Sequence, residues 1–498
     1  MIRLLMAASL LTLAAAAPPG PDTVRRAPEP DAASQIWLDP ALPGTPGAEA
    51  LASAGYVREE WFQSGTADVH GYDPAGKVGT ERSGVPYTTR LIVIRPRDPG
   101  RFSGTVQLNP AHPVLGNLNW GALSDYALRR GDAFVGVMIG ADDNTRRAPA
   151  GRAPIMATEI LAWFNPGRYA AIDWPKDEDG IRWDVFADTA RLIRSTAGPL
   201  AGLKVARVHA SGWSFTGSFL RTYINSGFHA KYRLPDGRPL IDGYLIGISS
   251  FSFRSGYVPI NSHTPNLPES DPRRPNVAID VPVIELQSEN EAITNREPQT
   301  ADKDGAPGAH RLYEVPGLTH GSGRRRDPVS ERQIAMRMGM PAEARIDTCP
   351  YPQTDIDMAA FAAAAHANLD AWSRRKVAPP RAPRLQHVEG KPQRDANGNT
   401  IGGIRPAQLD VPLARYGAAP EASGCDQPRG GIGSPSIPMQ RVPLSSDRLA
   451  TLYPGGKADY LRRFDAAIDA LVAGRWLLAP HATAQKAEAR KFAEEAFR

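Results

Sequence analysis

One serine near the middle of the chain has the setting of an activated nucleophile. Ser214 stands two residues after Gly212, between an apolar run over 203–211 that predicts a strand and a segment with helical apolar spacing. In the pattern G-x-S-x-G, such a strand-to-helix turn exposes a serine hydroxyl. Here Thr216 occupies the place of the second glycine, which moves to Gly217. The other interpretation is a turn serine that caps the helix.

A nucleophilic serine needs a base, and in hydrolases with this turn the chain order is serine, acid, histidine. His320 lies in a glycine-flanked loop just after a predicted strand at 310–316, which favours it as the base. A surface loop histidine is the alternative. Four other histidines are less well placed. His229 lies beyond the helix that follows Ser214, and His263 lies in a presumed lid. His310 lies at the far end of its strand, and His366 lies within a helix.

The acid should follow the strand that precedes the strand of His320. The predicted strand at 281–287 runs into Glu289 and Glu291. We expect Glu291, which is far enough into the following loop to turn back toward His320. Glu289 is the rival, and either carboxylate could instead be a solvated loop charge.

An oxyanion formed at Ser214 would need two hydrogen-bond donors. The backbone N–H of Phe215 comes with the turn itself. The second donor should come from the residues around Asn109, Pro110 and Ala111, where the predicted strand gives way to a loop. Because Pro110 has no N–H, the candidates are the side chain of Asn109 and the backbone of Ala111. A turn asparagine before proline is an equally good reading of Asn109.

Alternating strands and helices would position these residues. Apolar runs predict strands at 87–96, 104–110, 132–140, 203–211, 240–249, 281–287 and 310–316, and apolar stripes predict helices at 119–130, 185–196, 355–373, 459–473 and 482–497. This alternation is typical of an α/β protein with a mostly parallel central sheet and helices on both faces.

The predicted domain layout surrounds this sheet with less regular segments. Residues 55–376 should form the core, with lid insertions at 141–183 and 250–280 that could cover the carboxyl edge of the sheet. A C-terminal extension at 377–498 should pack on the core. Residues 17–54 are rich in Ala, Pro, Gly and Asp and are predicted to be a mobile lead-in.

The start of the chain has the features of an export signal. Arg3, an apolar stretch over 4–13 and small residues at 14–17 predict a signal peptide at 1–16, with an uncleaved anchor as the alternative. No later run reaches transmembrane length. We therefore expect a periplasmic or secreted protein. Its two cysteines, Cys349 and Cys425, predict one disulfide over two free thiols.

Composition argues against several other classes of function. Lys and Arg total 58 and Asp and Glu 53, so the net charge is only +5 over 498 residues, and we expect no nucleic-acid partner. Asp142, Asp143 and Asn144 are more typical of a turn than of a cation site, so no metal is expected. No glycine-rich phosphate loop follows a strand at the required spacing, and no cofactor is expected.

The elbow segment over 212–228, residues 288–291 and the loop at 317–320 resemble those of the α/β-hydrolase superfamily. More narrowly, the chain is similar to exported "alpha/beta hydrolase domain-containing" proteins of about this length. Their elbow reads G-x-S-Q-S-G before F-L-R, so Phe215 and Thr216 stand here in place of Gln and Ser. Residues 398–405 and 409–412 and the region of Cys425 also resemble this family. The resemblance covers most of 55–495 and implies an α/β-hydrolase fold with a serine triad.

These features together predict an exported serine hydrolase. Ser214, His320 and Glu291 would form the triad and cleave a small-molecule carboxylic ester without a cofactor. A serine peptidase or amidase with the same triad is one alternative. The other is a non-catalytic ligand-binding protein on a hydrolase scaffold, with Trp120, Trp163 and Trp174 stacking on the ligand.

Overall fold

The computed structural model describes residues 21–113, 116–140, 157–175, 178–249, 258–261, 276–294, 299–318, 320, 352, 354–418 and 439–498. Several of the sequence predictions lie wholly or partly outside these residues: the signal peptide at 1–16, the acidic turn that begins at Asp142, His263, the pair Cys349 and Cys425, part of the insertion at 141–183 and most of the insertion at 250–280.

A single large sheet organises the described part of the chain. Its nine strands are β1 (Thr23–Arg26), β2 (Tyr56–Tyr72), β3 (Val78–Pro96), β4 (Thr105–Pro110), β5 (Ala133–Val137), β6 (Arg207–Trp213), β7 (Gly243–Gly247), β8 (Val283–Ser288) and β9 (His310–Val315). Their order is β1-β2-β3-β5-β4-β6-β7-β8-β9. Strands β4 to β9 are mutually parallel, and β1, β2 and β3 add an antiparallel edge.

The described structure also contains α-helices and two small β-ribbons. The helices are α1 (Pro46–Ser53), α2 (Trp120–Arg130), α3 (Ala157–Phe164), α4 (Pro166–Tyr169), α5 (Arg182–Arg194), α6 (Phe215–Asn225), α7 (Phe228–Lys231), α8 (Glu289–Thr294), α9 (Met358–Arg375), α10 (Ala407–Asp410), α11 (Ser446–Leu452), α12 (Gly456–Ala473) and α13 (Ala479–Ala496). The ribbons pair β10 (His387–Val388) with β11 (Lys391–Pro392), and β12 (Ala414–Ala418) with β13 (Met439–Pro443).

Helices cover both faces of the sheet, as predicted. Successive side chains of a strand point to opposite faces. On β3, Leu91 and Val93 accordingly join the apolar cluster that contains α5 and α6. Ile92 and Ile94 join the cluster that contains α1 and α2. The predicted fold class, a mostly parallel sheet between two helical layers, is therefore confirmed.

The antiparallel edge is where the structure departs most from the sequence prediction. Strand β2 is 17 residues long and was not predicted, and β3 begins well before the predicted segment at 87–96. The sequence of β2 lacks a clear apolar pattern because this strand buries charged side chains. Glu60 accepts hydrogen bonds from Arg90 Nε at 2.5 Å and from Arg168 Nε at 2.6 Å. Paired in this way, a carboxylate can lie inside a protein.

The lead-in predicted to be mobile is packed on the sheet from residue 21 onward. Strand β1 pairs with β2, and α1 packs beside it. Ile36 and Trp37 are each only 1% exposed. Burial of these aromatic and aliphatic side chains holds the segment on the sheet despite its turn-rich composition. Its described part therefore belongs to the folded domain.

The C-terminal extension packs against β9, the strand that leads to His320. The carboxylate of Glu314 accepts a hydrogen bond from the backbone N–H of Leu385 at 2.7 Å. The backbone carbonyl of Glu314 accepts another from the backbone N–H of Ile404, also at 2.7 Å. Leu318 lies in the same apolar cluster as Leu409 and the helices α12 and α13. The extension therefore supports the loop after β9. None of the described helices combines the length and hydropathy that crossing a bilayer requires.

Candidate active site

Ser214 occupies a strained turn between β6 and α6. Its backbone angles are φ 56° and ψ −123°, which a residue with a side chain seldom adopts. The backbone N–H of Ser214 donates to the carbonyl of Gly247 at 2.9 Å, and its own carbonyl accepts from Ser218 N–H at 3.0 Å. The backbone is thus tied to β7 on one side and to α6 on the other, while the side chain is left half-buried at the carboxyl edge of the sheet.

Close backbone contacts explain both glycines of the turn. A Cβ at Gly212 would collide with the carbonyl group of Thr216. A Cβ at Gly217 would lie 2.9 Å from the carbonyl oxygen of Gly247 and 2.9 Å from Cβ of Ser249. The second glycine therefore stands at 217 because that position packs against β7 and the residues after it.

His320 and Glu291 meet as the sequence predicts. His320 Nδ1 lies 2.6 Å from Glu291 Oε1, so the ring N–H donates to the carboxylate. Glu291 is fully buried, and its other oxygen accepts hydrogen bonds from the backbone N–H of Ser288 at 3.3 Å and from the Ser288 hydroxyl. With Nδ1 donating, Nε2 is the nitrogen left to accept a proton.

The charge on Glu291 is stabilised by its partners. Burial alone would raise the pKa of this carboxyl, but attraction to His320 and the hydrogen bonds from His320 and Ser288 hold the pKa below its usual value. The side chain of His320 is 24% exposed against 1% for Glu291. The pair thus has one end in the protein interior and the other at the surface where a substrate could arrive.

Glu289, the rival acid, has a different set of contacts. Its Oε2 accepts from the backbone N–H of Gly317 at 2.9 Å, and its own N–H donates to the carbonyl of Leu318 at 3.1 Å. Burial raises the pKa of Glu289. These bonds tie the start of α8 to the loop that carries His320. Glu289 therefore holds this loop, whereas Glu291 contacts the imidazole itself.

Parallel strand ends bring the three residues to one edge of the sheet. Ser214 follows β6, Glu291 lies on α8 directly after β8, and His320 follows β9. Strands β6, β7, β8 and β9 are adjacent and parallel, so their carboxyl ends lie together. Ligands of open α/β sheets bind outside the carboxyl ends of the strands. A serine, an imidazole and a buried carboxylate at this edge could carry out acyl transfer.

The predicted oxyanion donors have different surroundings. Phe215 is the first residue of α6, where backbone N–H groups have no partner within the helix. Asn109 Nδ2 donates to the carbonyl of Ser211 at 2.5 Å, and Asn109 Oδ1 accepts from the N–H of Asn119 at 3.1 Å. Ala111 N–H donates to the carbonyl of Val137 at 2.7 Å. Both candidates for the second donor thus make structural hydrogen bonds, and the oxyanion role of Asn109 stays a prediction.

His112 and Asn119, to which the sequence analysis assigned no role, lie around the turn together with Thr216. The imidazole of His112 is tilted against the ring of Phe215, with 5.7 Å between their centroids. The hydroxyl of Thr216 contacts the peptide groups of Trp213 and the side chain of Asn119. The available signals were positional: His112 follows β4 by two residues, and Thr216 stands where glycine is usual.

The tryptophans proposed to stack on a ligand have separate environments. Trp120 is 8% exposed and packs on Phe134 in the core, with 5.1 Å between ring centroids. Trp174 donates from Nε1 to Asp179 Oδ1 at 3.2 Å. Trp163, on α3, is 43% exposed. Trp120 therefore has a core role, contrary to that hypothesis. Among the described residues, no cluster of His, Cys, Asp and Glu side chains could hold a metal ion.

The strand order and the site at its carboxyl edge define an α/β-hydrolase fold. The family profile described as "Alpha/beta hydrolase domain" matches residues 22–487, and the chain belongs to this family. The predicted resemblance is thereby confirmed. No curated protein matches the chain in sequence.

Solved structures with partial similarity include two esterases and a peptidase. The esterase Est22 is 14% identical over 48% of this chain and 66% of that chain, with a TM-score of 0.27. A thermostable esterase from Pseudomonas putida is 11% identical over 49% and 68%, with a TM-score of 0.25. A prolyl endopeptidase is 10% identical over 52% and 35%, with a TM-score of 0.27. The chain thus spans about a third of the prolyl endopeptidase's length.

Proposed function

We propose that this protein is a serine hydrolase that cleaves carboxylic esters, with Ser214 as nucleophile, His320 as base and Glu291 as the orienting acid. The observation that carries the proposal is the 2.6 Å hydrogen bond between His320 and the buried Glu291, in a chain whose strained Ser214 directly follows β6, a parallel strand of the same sheet. A serine hydroxyl is a weak nucleophile unless a base of this kind takes its proton.

The proposed reaction has two halves. Ser214 Oγ attacks the ester carbonyl while Nε2 of His320 takes the hydroxyl proton, and the same proton then goes to the departing alcohol. Water next attacks the acyl-enzyme with His320 again as base, and Ser214 is released with the acid product. Glu291 holds the imidazole in the Nδ1–H tautomer and stabilises the imidazolium. The N–H of Phe215 and the positive end of α6 stabilise the oxyanion.

A substrate panel tests the reaction class. We expect turnover of p-nitrophenyl esters across an acyl chain-length series and no cleavage of matched peptide p-nitroanilides. Cleavage of the anilides without the esters would support the peptidase alternative instead. A folded protein that acts on neither, yet binds ester analogues, would support the ligand-binding alternative.

Replacing each of the two glutamates by glutamine in turn tests which of them is the acid. We expect Glu291→Gln to lower kcat/KM by about 10²-fold, because the amide cannot stabilise the imidazolium as a carboxylate does. Glu289→Gln is the matched control, since it is equally buried, lies two residues away and keeps an oxygen for Gly317 N–H. It should retain most of the activity. A larger loss from Glu289→Gln would assign the acid role to Glu289.

We also propose that the protein is exported. The charged start, the short apolar stretch and the small residues at 14–17 support cleavage after Ala16, because proline immediately after the cut would hinder cleavage after Ala17. N-terminal sequencing of the protein recovered from outside the cytoplasm should begin at Ala17. Recovery of the mature protein with Met1 intact would argue for an anchor.

A further inference from the structure

Strand β6 pairs with both β4 and β7, but its pairing with β4 ends before Ser214 is reached. Strand β4 pairs with β6 only as far as Leu108 opposite Ala210, whereas β7 pairs with it to Trp213 opposite Gly247. Side chains make the next hydrogen bonds. Asn109 Nδ2 donates to the carbonyl of Ser211 at 2.5 Å. The backbone N–H of Trp213 donates to Thr216 Oγ1 at 2.7 Å.

The Thr216 hydroxyl makes three hydrogen bonds around the turn. Besides accepting from Trp213 N–H, it donates to the Trp213 carbonyl at 2.9 Å and accepts from Asn119 Nδ2 at 3.3 Å. The N–H of Asn119 in turn donates to Asn109 Oδ1 at 3.1 Å. One hydroxyl thus joins both peptide groups of the residue before Ser214 to the loop after β4.

We propose that Thr216 is a positioning residue for Ser214, an inference that rests on the function proposed above. A strained backbone such as that of Ser214 persists only when its surroundings hold it in place. The Thr216 hydroxyl fixes the peptide groups of Trp213 and thereby sets the direction of the Ser214 hydroxyl and of the Phe215 N–H. At 1% exposure, Thr216 is too buried to contact the substrate. Its effect should therefore appear in kcat rather than in KM.

Two substitutions at Thr216 distinguish the effect of its hydroxyl from that of its methyl group. Thr216→Val keeps the size and removes the hydroxyl, and Thr216→Ser keeps the hydroxyl and removes the methyl group. We expect Thr216→Val to lower kcat for an aryl ester by about 10²-fold with KM near the wild-type value, since small misplacements of reacting groups cost this much. Thr216→Ser should retain most of kcat. The rate of Ser214 labelling by a phosphonate should follow the same order.

Thr189→Val is the matched control, because it removes another buried threonine hydroxyl, one bonded to the carbonyl of Val185 on α5. It should leave kcat unchanged. If Thr216→Val does not fold, Asn119→Ala decides instead, since Asn119 is only half-buried and supplies one of the three bonds. It should lower kcat less than tenfold, again with KM unchanged.

Three results would overturn the positioning role in an active protein. Thr216→Val could keep full kcat, Thr216→Ser could lose as much as Thr216→Val, or Thr189→Val could lose as much as either. A wild type that neither turns over esters nor takes the label would overturn the proposed function and this role with it. Activity of the wild type thus distinguishes the two failures.

Discussion

Ser214→Ala should lower kcat/KM for a short-chain aryl ester by about 10³-fold or more while the protein stays folded. The substitution removes the only atom that would bond to the acyl group. It leaves the hydrogen bonds from Ser214 N–H to Gly247 and from Ser218 N–H to the Ser214 carbonyl. The free energy of unfolding should therefore change by less than about 1 kcal/mol. Ester turnover and thermal unfolding of the purified variant check both expectations.

Ser218→Ala is the control for loss of a nearby serine hydroxyl. Ser218 lies one turn further along α6, and its Oγ is 2.9 Å from the Oγ of Ser249. Losing this buried hydrogen bond should cost about 1 kcal/mol of stability and leave ester turnover nearly intact. Equal activity in Ser214→Ala and the wild type would remove Ser214 from the mechanism.

His320→Ala should be about as damaging to catalysis as Ser214→Ala, again about 10³-fold or more. Because the members of a serine triad act as a unit, the double variant should be hardly worse than either single one. The variant also removes the partner of a fully buried carboxylate, Glu291. We therefore expect it to lose about 1–3 kcal/mol of stability, unlike Ser214→Ala.

The matched control for His320→Ala is His387→Ala, which removes an exposed histidine on β10. It should change neither turnover nor unfolding. Full activity in His320→Ala, or losses in the double variant that multiply those of the single ones, would contradict the proposed role of this residue. Steady-state kinetics on the wild type, the two single variants, the double variant and His387→Ala, with denaturant unfolding in parallel, provides the test.

The parallel half of the sheet could be predicted because β5 and β7 consist only of hydrophobic residues and glycine, and each of the other parallel strands contains at least two strongly apolar residues. Strand β5 is buried throughout, so burial and hydropathy coincide along it. Strand β2 could not be predicted for the opposite reason. Its buried carboxylates, Glu59 and Glu60, pair with arginines from distant parts of the chain. A local pattern does not contain these partners.

The residues of the proposed triad could be predicted from chain order and strand ends, but the local geometry could not. A loop was expected after the predicted strand at 281–287, and the structure has the short helix α8. Two residues apart on a helix are separated by about 200° around its axis. Glu289 and Glu291 therefore point in different directions, toward Gly317 N–H and His320 respectively.

Asn109, the predicted second oxyanion donor, illustrates a different limit. Asn109 follows Leu108, the last β4 residue paired with β6, so its side chain bonds to the Ser211 carbonyl beyond that point. Where strand pairing ends depends on the register of two segments about a hundred residues apart. Sequence spacing gives the position of Asn109 near the end of β4 but not this register, and so not the partner of its amide.

Covalent labelling tests the central claim most directly. A serine-reactive phosphonate should form a single adduct with the wild type, on the peptide that contains Ser214. Ester turnover should fall in proportion to the fraction of protein labelled. Ser214→Ala should take no label, and His320→Ala should take it much more slowly. A folded wild type that turns over esters but carries its adduct on another serine, or that takes no label and turns over no ester, would contradict the account.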